Sequence, residues 1–518
     1  MKEQAPDNDG WQRQHPRMLL ILPVQQILRY LPAVIGLVIF GAARDGGPPW
    51  WAGLLAAAGV VGLGVLTWFT TRYRITGEQL QLRKGLFNTN TVTTPVDRVR
   101  TVDVTASALH RVLGLAEVKI GTGADESKLE LDGLTATRAA ALRAELIHQR
   151  HAGQVLHDGE GSEGSEGSEG IEGIEGSESI QPQGAIDDET DIARFNPAWI
   201  KFALFSATGI ASAAAIFGIG WQIIDRSGVD LTDSGVAQRG EDTVRDLGVV
   251  AVVVIGVAIA LMVILLLSLA GYILSYWGYR LTRNERGGTL QVSRGLLTTR
   301  TVTIEERRLR GVKMTETLPM RPARGASLEV ITTGLGSESG ESGLLVPPAP
   351  VAIVREVADE VLAVPHTLDT ALQSHGPAAA RRRWSRAFVA GLIPAAIIVG
   401  GTFAFGWAPE LGLIALIPIL PAPWLAKDRA RSLGHALTPR YLVARDGSVM
   451  RDTVAVERSG VIGVTMSESF FQRRAGLMTV TMTTAAGSES YDVQDVPSSD
   501  GVALATELLP GHMSPLLK

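Results

Sequence analysis

The sequence predicts a membrane protein in which six transmembrane helices, arranged as three hairpins, alternate with three small β-rich domains. Three observations carry this reading. The apolar residues, 46% of the 518, collect in long runs nearly free of charge, with the 48 basic and 53 acidic residues lying between them. Arginines cluster at the outer ends of each pair of runs. The polar regions that follow each pair repeat one another in register. At this length several folding units are expected.

About 20 apolar residues at 1.5 Å rise cross a hydrocarbon core about 30 Å thick. Six stretches qualify: 27–43, 50–69, 202–224, 247–276, 388–407 and 411–425. The first carries Arg29, which can snorkel to the interface, and Pro32; the last is shortened and kinked by Pro418, Pro421 and Pro423. A signal peptide is disfavoured for the first, because no small-residue cleavage site precedes the second run. Orientation follows the basic residues near the helix ends. Arg13, Arg17, Arg72 and Arg74 bracket the first pair, Lys201, Arg280 and Arg283 the second, and Arg381, Arg382, Arg383, Arg386, Lys427, Arg429 and Arg431 the third. Both termini and all large connecting regions are therefore expected in the cytoplasm.

The regions behind the hairpins read as three copies of one domain. Tyr73-Arg-Ile-Thr76 precedes Gly85-Leu-Phe and Thr91-Val-Thr; Tyr279-Arg-Leu-Thr282 precedes Gly295-Leu-Leu and Thr301-Val-Thr; His435-Ala-Leu-Thr438 precedes Gly447-Ser-Val and Thr453-Val-Ala. From the glycine onward the copies align without a gap, at offsets of 210 (85 to 295) and 362 (85 to 447). Apolar positions then coincide, as at Val102, Val312 and Val464, and so do Arg111, Arg321 and Arg473. Period-two patterns such as Leu80 and Leu82, or Val118 and Ile120, predict strands with one buried face. Residues 107–114 read as a short helix with a glycine C-cap, and each copy closes with a helix, the first over 135–149 with Leu142 and Leu146 one turn apart. Each domain is thus expected to be a small barrel or strongly bent sheet with a C-terminal helix.

The unit Tyr73-Arg-Ile-Thr, Gly85-Leu, Val96-Asp-Arg-Val99 and Leu109-His-Arg-Val-Leu-Gly-Leu115, with its closing helix, resembles the bacterial pleckstrin-homology (PH) domain of YdbS/YdbT-like membrane proteins. Residues 11–16 are similar to that family's opening. The third copy departs most, with Ala436 in place of Arg74 and Gly460 in place of Arg98. The resemblance implies PH-like domains at the cytoplasmic face, no assigned reaction, and a family-level link to envelope stress or tolerance of membrane-active agents. The organisation expected is hairpin 1 within 1–69, PH-like domain 1 at 70–150, an acidic linker at 151–196, hairpin 2 at 197–277, PH-like domain 2 at 278–364, a basic linker at 365–386, hairpin 3 at 387–426 and PH-like domain 3 at 427–510. Within the acidic linker, the Gly, Ser and Glu of 158–180 cannot bury a core and read as a disordered spacer.

Catalytic chemistry finds no support in the sequence. There is no cysteine, no Walker loop and no His-Glu-x-x-His, and the nine His are scattered. His110 and His435 read as packed or exposed, and Asp97, Asp103 and Glu117 as solvated strand faces. No catalytic residue, metal site or cofactor is expected, and the net charge of −5 gives no reason to expect nucleic acid. A transporter or exporter with an uncharged pathway between the hairpins is the alternative. The main reading is a non-enzymatic scaffold in the bacterial inner membrane, binding membrane lipids, a sister PH-domain membrane protein, or itself. Arg98 and Arg308, with Arg111 and Arg321, are the candidate lipid or partner contacts, since each cation near an anionic leaflet contributes about 1 kcal/mol.

Overall fold

The computed structural model describes residues 11–21, single positions between 59 and 66, 68–76, 79–85, 89–95, 101–121, 129–143, 189–205, 249–285, 288–333, 343–404 and 415–509. Arg98, most of the first two apolar stretches, the disordered tract expected at 158–180, and residues 206–248 and 405–414 lie outside the described residues. The chain forms two compact units, and the boundary between Glu306 and Arg307 falls inside the second repeat.

In the first unit, β1 (Gln12–Arg13), β2 (Arg72–Ile75), β3 (Gln79–Lys84) and β4 (Asn90–Pro95) form an antiparallel sheet in that order. Alternation sends Leu80 and Leu82 inward, at 0% and 5% exposure, and leaves Gln79 and Gln81 half-buried. β5 (Thr101–Ala106), β6 (Leu115–Gly121) and β7 (Leu129–Thr135) follow, with the helix Ala108–Leu113 between β5 and β6. That helix is delimited chemically. The Ser107 hydroxyl accepts from the His110 amide at its start, and Gly114 at φ 69° ends it, where a side chain would be strained. Tyr73, Leu80 and Leu82 of the first sheet share one core with Val102, Val118, Ile120, Leu129 and Leu131 of the second and with Ala139 and Leu142 of the closing helix, which begins at 136. Fully burying each Leu, Val or Ile contributes roughly 1.5–3 kcal/mol, so this core sets the fold of the repeat.

The second sheet of the first repeat does not end at β5. Its seven strands run β7-β6-β5-β11-β10-β9-β8, where β8 is Glu189–Arg194, β9 Arg280–Asn284, β10 Thr289–Arg294 and β11 Thr299–Glu305. The first strands of the second repeat therefore extend a sheet of the first. β8 corrects the linker boundary, because residues 189–194 pair with β9 from Glu189↔Asn284 to Arg194↔Arg280. Asp191 accepts from both Arg194 and Arg280, so charges that read as linker polarity fix a strand.

The second unit repeats this plan. β12 (Leu309–Thr317), β13 (Gly325–Thr332) and β14 (Leu344–Pro350) join β15 (Gly434–Leu437), β16 (Tyr441–Gly447) and β17 (Met450–Glu457) in a sheet ordered β14-β13-β12-β17-β16-β15. β18 (Val461–Ser467), β19 (Leu477–Thr484) and β20 (Ser490–Pro497) form a separate three-stranded sheet. Leu442, Ala444 and Val456 from the larger sheet pack with Val480, Met482, Val493 and Val496 from the smaller, and Leu504 and Leu508 of the helix Ser498–Leu508 close that core. The sheets and closing helices agree with the expected repeated PH-like domains, and the structure adds that sheets continue from one repeat into the next. Strand periodicity identifies the face a side chain takes, not which strand lies at the edge.

The helix Val249–Tyr276 has 28 residues, with outward apolar side chains such as Ile259 and Leu266. Gly376–Ala404 is a continuous helix containing Pro394, and its Gly376–Gly401 stretch is long and apolar enough to cross a membrane by length and composition. Ile397 and Phe403 on this helix are 65% and 86% exposed. Behind it the apolar chain breaks into Leu416–Ile419 and Ala422–Ser432 around Pro421. The start expected for the third span is corrected: Phe202 and Ala203 lie in a 3-10 helix, Pro197–Phe205, and are fully buried. The Phe202 ring covers Gly325, where an added Cβ would come within 2.4 Å of it.

Candidate interaction site

Two strand joints fuse neighbouring repeats. At the first, β11 pairs with β5 from Thr299↔Ala106 to Thr303↔Val102. At the second, β17 pairs with β12 from Gly311↔Val456 to Thr317↔Met450. Moving each strand one repeat along the chain, by 210 residues for β5 and 362 − 210 = 152 for β11, carries Thr299↔Ala106 onto Arg451↔Glu316 and Thr303↔Val102 onto Ala455↔Val312. Both joints therefore have one register. The second extends one pair further at each end, to Thr317↔Met450 and to Gly311↔Val456, and at the latter Gly311 admits close approach: a Cβ there would sit 2.0 Å from the Ala455 carbonyl oxygen. Its counterpart at the first joint is Thr101, and pairing there stops at Val102.

Side chains reinforce both seams. Arg300 Nη2 lies 3.2 Å from Asp103 Oδ2 across the first. Across the second, Thr315 Oγ1 donates to Asp452 Oδ1 at 2.7 Å and Arg310 Nη1 meets Glu457 Oε2 at 3.2 Å. Asp103 is 7% exposed, which corrects its reading as a solvated strand residue: the Arg300 side chain from the next repeat covers it.

The candidate arginines take definite places. Arg111 donates from Nη1 to the carbonyl of Leu296, in the turn between β10 and β11. Arg321 donates from Nη2 to the carbonyl of Ser448, in the turn between β16 and β17, and from Nη1 to Asp428 Oδ2 at 2.6 Å. The repeat offsets superimpose these two contacts, so each arginine clips its repeat to the next. Burial works against the Asp428 carboxylate, but hydrogen bonds from Arg321 and Ser448 outweigh it and hold the group below the usual carboxylate range. Arg308 ends a 3-10 turn, half-buried, and its carbonyl accepts from the Thr332 hydroxyl at 3.0 Å and the Thr333 amide at 3.2 Å.

Three stretches, 26–150, 242–364 and 388–511, match the bacterial PH domain family. The chain belongs to that family. It is also 21% identical over 459 residues, 85% of each chain, to the UPF0699 transmembrane protein YdbT of Bacillus subtilis (strain 168). No solved structure matches significantly. The chain is a membrane protein carrying three bacterial PH domains, and its joints run between consecutive PH domains.

The third PH domain also carries a polar anchor that sequence reasoning missed. Asp495 is fully buried. It accepts from Arg382 Nη1, takes Gln472 Nε2 at 3.0 Å and faces Arg383 Nε at 2.9 Å. Arg383 also donates to Gln494 Oε1 at 3.0 Å, so two of the four arginines preceding the third apolar pair are tied to this domain. Beside them His375 Nε2 and His435 Nδ1 are 2.9 Å apart, both buried. Burial and then its neighbour His435 push His375 down to about 4. Arg382 and Arg383 lie 113 and 111 residues from their partners Asp495 and Gln494 in sequence, and only the Arg-Arg pair before an apolar run signalled the anchor.

Proposed function

We propose that this protein is a non-enzymatic membrane scaffold. Three hairpins, six helices in all, anchor it in the bacterial inner membrane, and its PH domains lie on the cytoplasmic side as one jointed array that binds other proteins. The repeated joint supports this best: one register and one arginine clip occur twice, so a bacterial PH domain in this chain is built to accept another through its strand edge. Arg111 and Arg321, read from sequence as lipid or partner contacts, serve contacts between domains, which favours protein over lipid as the primary partner. Arg98 and Arg308 keep a place as headgroup contacts under this reading, as charges close to the leaflet.

The absence of native cysteine makes the topology directly testable. Single cysteines at Asp233 and Glu410 should react with an impermeant thiol reagent applied from outside the cell, and one at Gly164 should react only after permeabilisation. External labelling at Gly164 overturns the orientation.

A further inference from the structure

Each joint uses two edges, the third strand of the first sheet in one PH domain (β11 or β17) and the first strand of the second sheet in the preceding domain (β5 or β12). Three domains in series use two of each. One of each remains: β4 in the first domain, bonded only to β3, and β18 in the third, bonded only to β19, among the described residues. We infer that a second copy of this chain docks head to tail, the β18 edge of one copy pairing antiparallel with the β4 edge of the next in the register of the two internal joints. This rests on the scaffold reading and names its partner. The offsets place Asn90 opposite Ser467, Thr91 opposite Met466, Val92 opposite Thr465 and Thr93 opposite Val464.

Four observations favour this occupant. Exposed edge strands are ordinarily guarded by charge, but Val461–Ser467 and Asn90–Pro95 carry none, whereas paired β12 carries Arg310, Lys313 and Glu316. Around β18 apolar side chains stand in solvent: Ile462 at 67%, Met466 at 39%, Phe470 at 71% and Phe471 at 72% exposure. Arg473 holds the register of the two clip arginines, yet its side chain is 73% exposed and its nearest carboxylate, that of Glu468, lies 3.7 Å away. Gly463 corresponds to Gly311, and a Cβ there meets nothing nearer than Thr483 at 4.0 Å, so the backbone clearance used at the second joint is present on the open edge. Because the two edges differ, the contact is heterologous and propagates as a row or ring in the plane of the membrane.

The test co-expresses two differently tagged full-length chains, one carrying Thr91→Cys and the other Met466→Cys, and oxidises native membranes. Cross-strand partners in antiparallel sheet lie about 4.5–5.5 Å apart at Cα, within disulfide reach. A mixed-tag disulfide dimer is expected. The pair Thr91→Cys with Ser490→Cys, on the far strand of the β18 sheet, should give none. Adding Arg473→Ala should lower the yield about tenfold, the effect of losing one charge-assisted hydrogen bond. With both cysteines in one chain, a ladder of oligomers supports the inference. An intramolecular bond alone, or no bond at all, overturns it. Labelling at Gly164 is independent of this outcome, so failure of the docking and failure of the scaffold topology are told apart.

Discussion

Gly311→Ala probes the second joint at its tightest point. The new Cβ would lie 2.0 Å from the Ala455 oxygen, 3.0 Å from its carbonyl carbon and 3.1 Å from Val456 Cα. Carbon and oxygen in neighbouring strands normally approach no closer than about 3.3 Å, so β17 must retreat by more than 1 Å at this end. That displacement exceeds the tolerance of a backbone hydrogen bond and opens the pairs Gly311↔Val456 and Val312↔Ala455. Two lost bonds at about 1 kcal/mol net each, with about 1 kcal/mol of residual strain, give about 3 kcal/mol. Hydrogen exchange at the amides of 454–456 should accelerate about a hundredfold, because each 1.4 kcal/mol is a factor of ten in the opening equilibrium. Gly463→Ala is the internal control: it occupies the same register on the open edge, and exchange in β19 should change by less than about threefold. Full protection of residues 454–456 in Gly311→Ala would refute the close approach and with it the reason the second joint reaches Val456.

Asp495→Ala leaves the buried Arg383 and its neighbour Arg382 without their carboxylate, so it should destabilise the third domain by about 3–5 kcal/mol, read as loss of cooperative thermal unfolding in detergent. Arg321→Ala removes the clip to Ser448 and Asp428 and should weaken the second joint by about 1.5–3 kcal/mol, read as faster proteolysis between the second and third domains, while Arg321→Lys should rescue only in part. His375 is held neutral by burial and sits at about 4 when folded, against an ordinary 6.5 when unfolded. The unfolded chain therefore binds the proton first, and stability present above pH 6.5 should fall by on the order of 3 kcal/mol as pH drops toward 4. Thermal unfolding from pH 7.5 to 4.5 should show that slope, and His375→Gln should flatten it.

The strands, the capped helix at 108–113 and the closing helices were legible because period two, Ser107, Gly114 and the repeat offsets are local signals. The joints were not. An edge strand and a central strand with one buried face share the same alternation, so Val102 and Val104 indicate a buried face without revealing that β11 follows β5. Asp103 looked solvent-facing for the same reason, until Arg300, 197 residues away, covered it. β8 was hidden by its setting, since Glu189, Asp191 and Arg194 follow a Gly, Ser and Glu tract and resemble it in polarity. Gly311 and Gly463 were the available hint: two glycines in one register, each inside a strand, mark close backbone approach or an edge prepared for it. The shared register of Arg111, Arg321 and Arg473 was visible, but sequence alone left Arg111 and Arg321 as lipid or partner contacts, where the structure supplies backbone carbonyls of the next repeat.

Cysteine pairs placed across the two joints in native membranes test the central claim most directly, because the chain has no other cysteine. Thr301→Cys with Val104→Cys, and Thr453→Cys with Met314→Cys, are directly opposed partners, within disulfide reach on cross-strand geometry. Both should form intramolecular disulfides nearly quantitatively on mild oxidation, while Thr301→Cys with Val102→Cys, two residues out of register on the same strand, should not. Equal yields from in-register and off-register pairs, or none from either joint, would contradict an array built by strand pairing between consecutive PH domains.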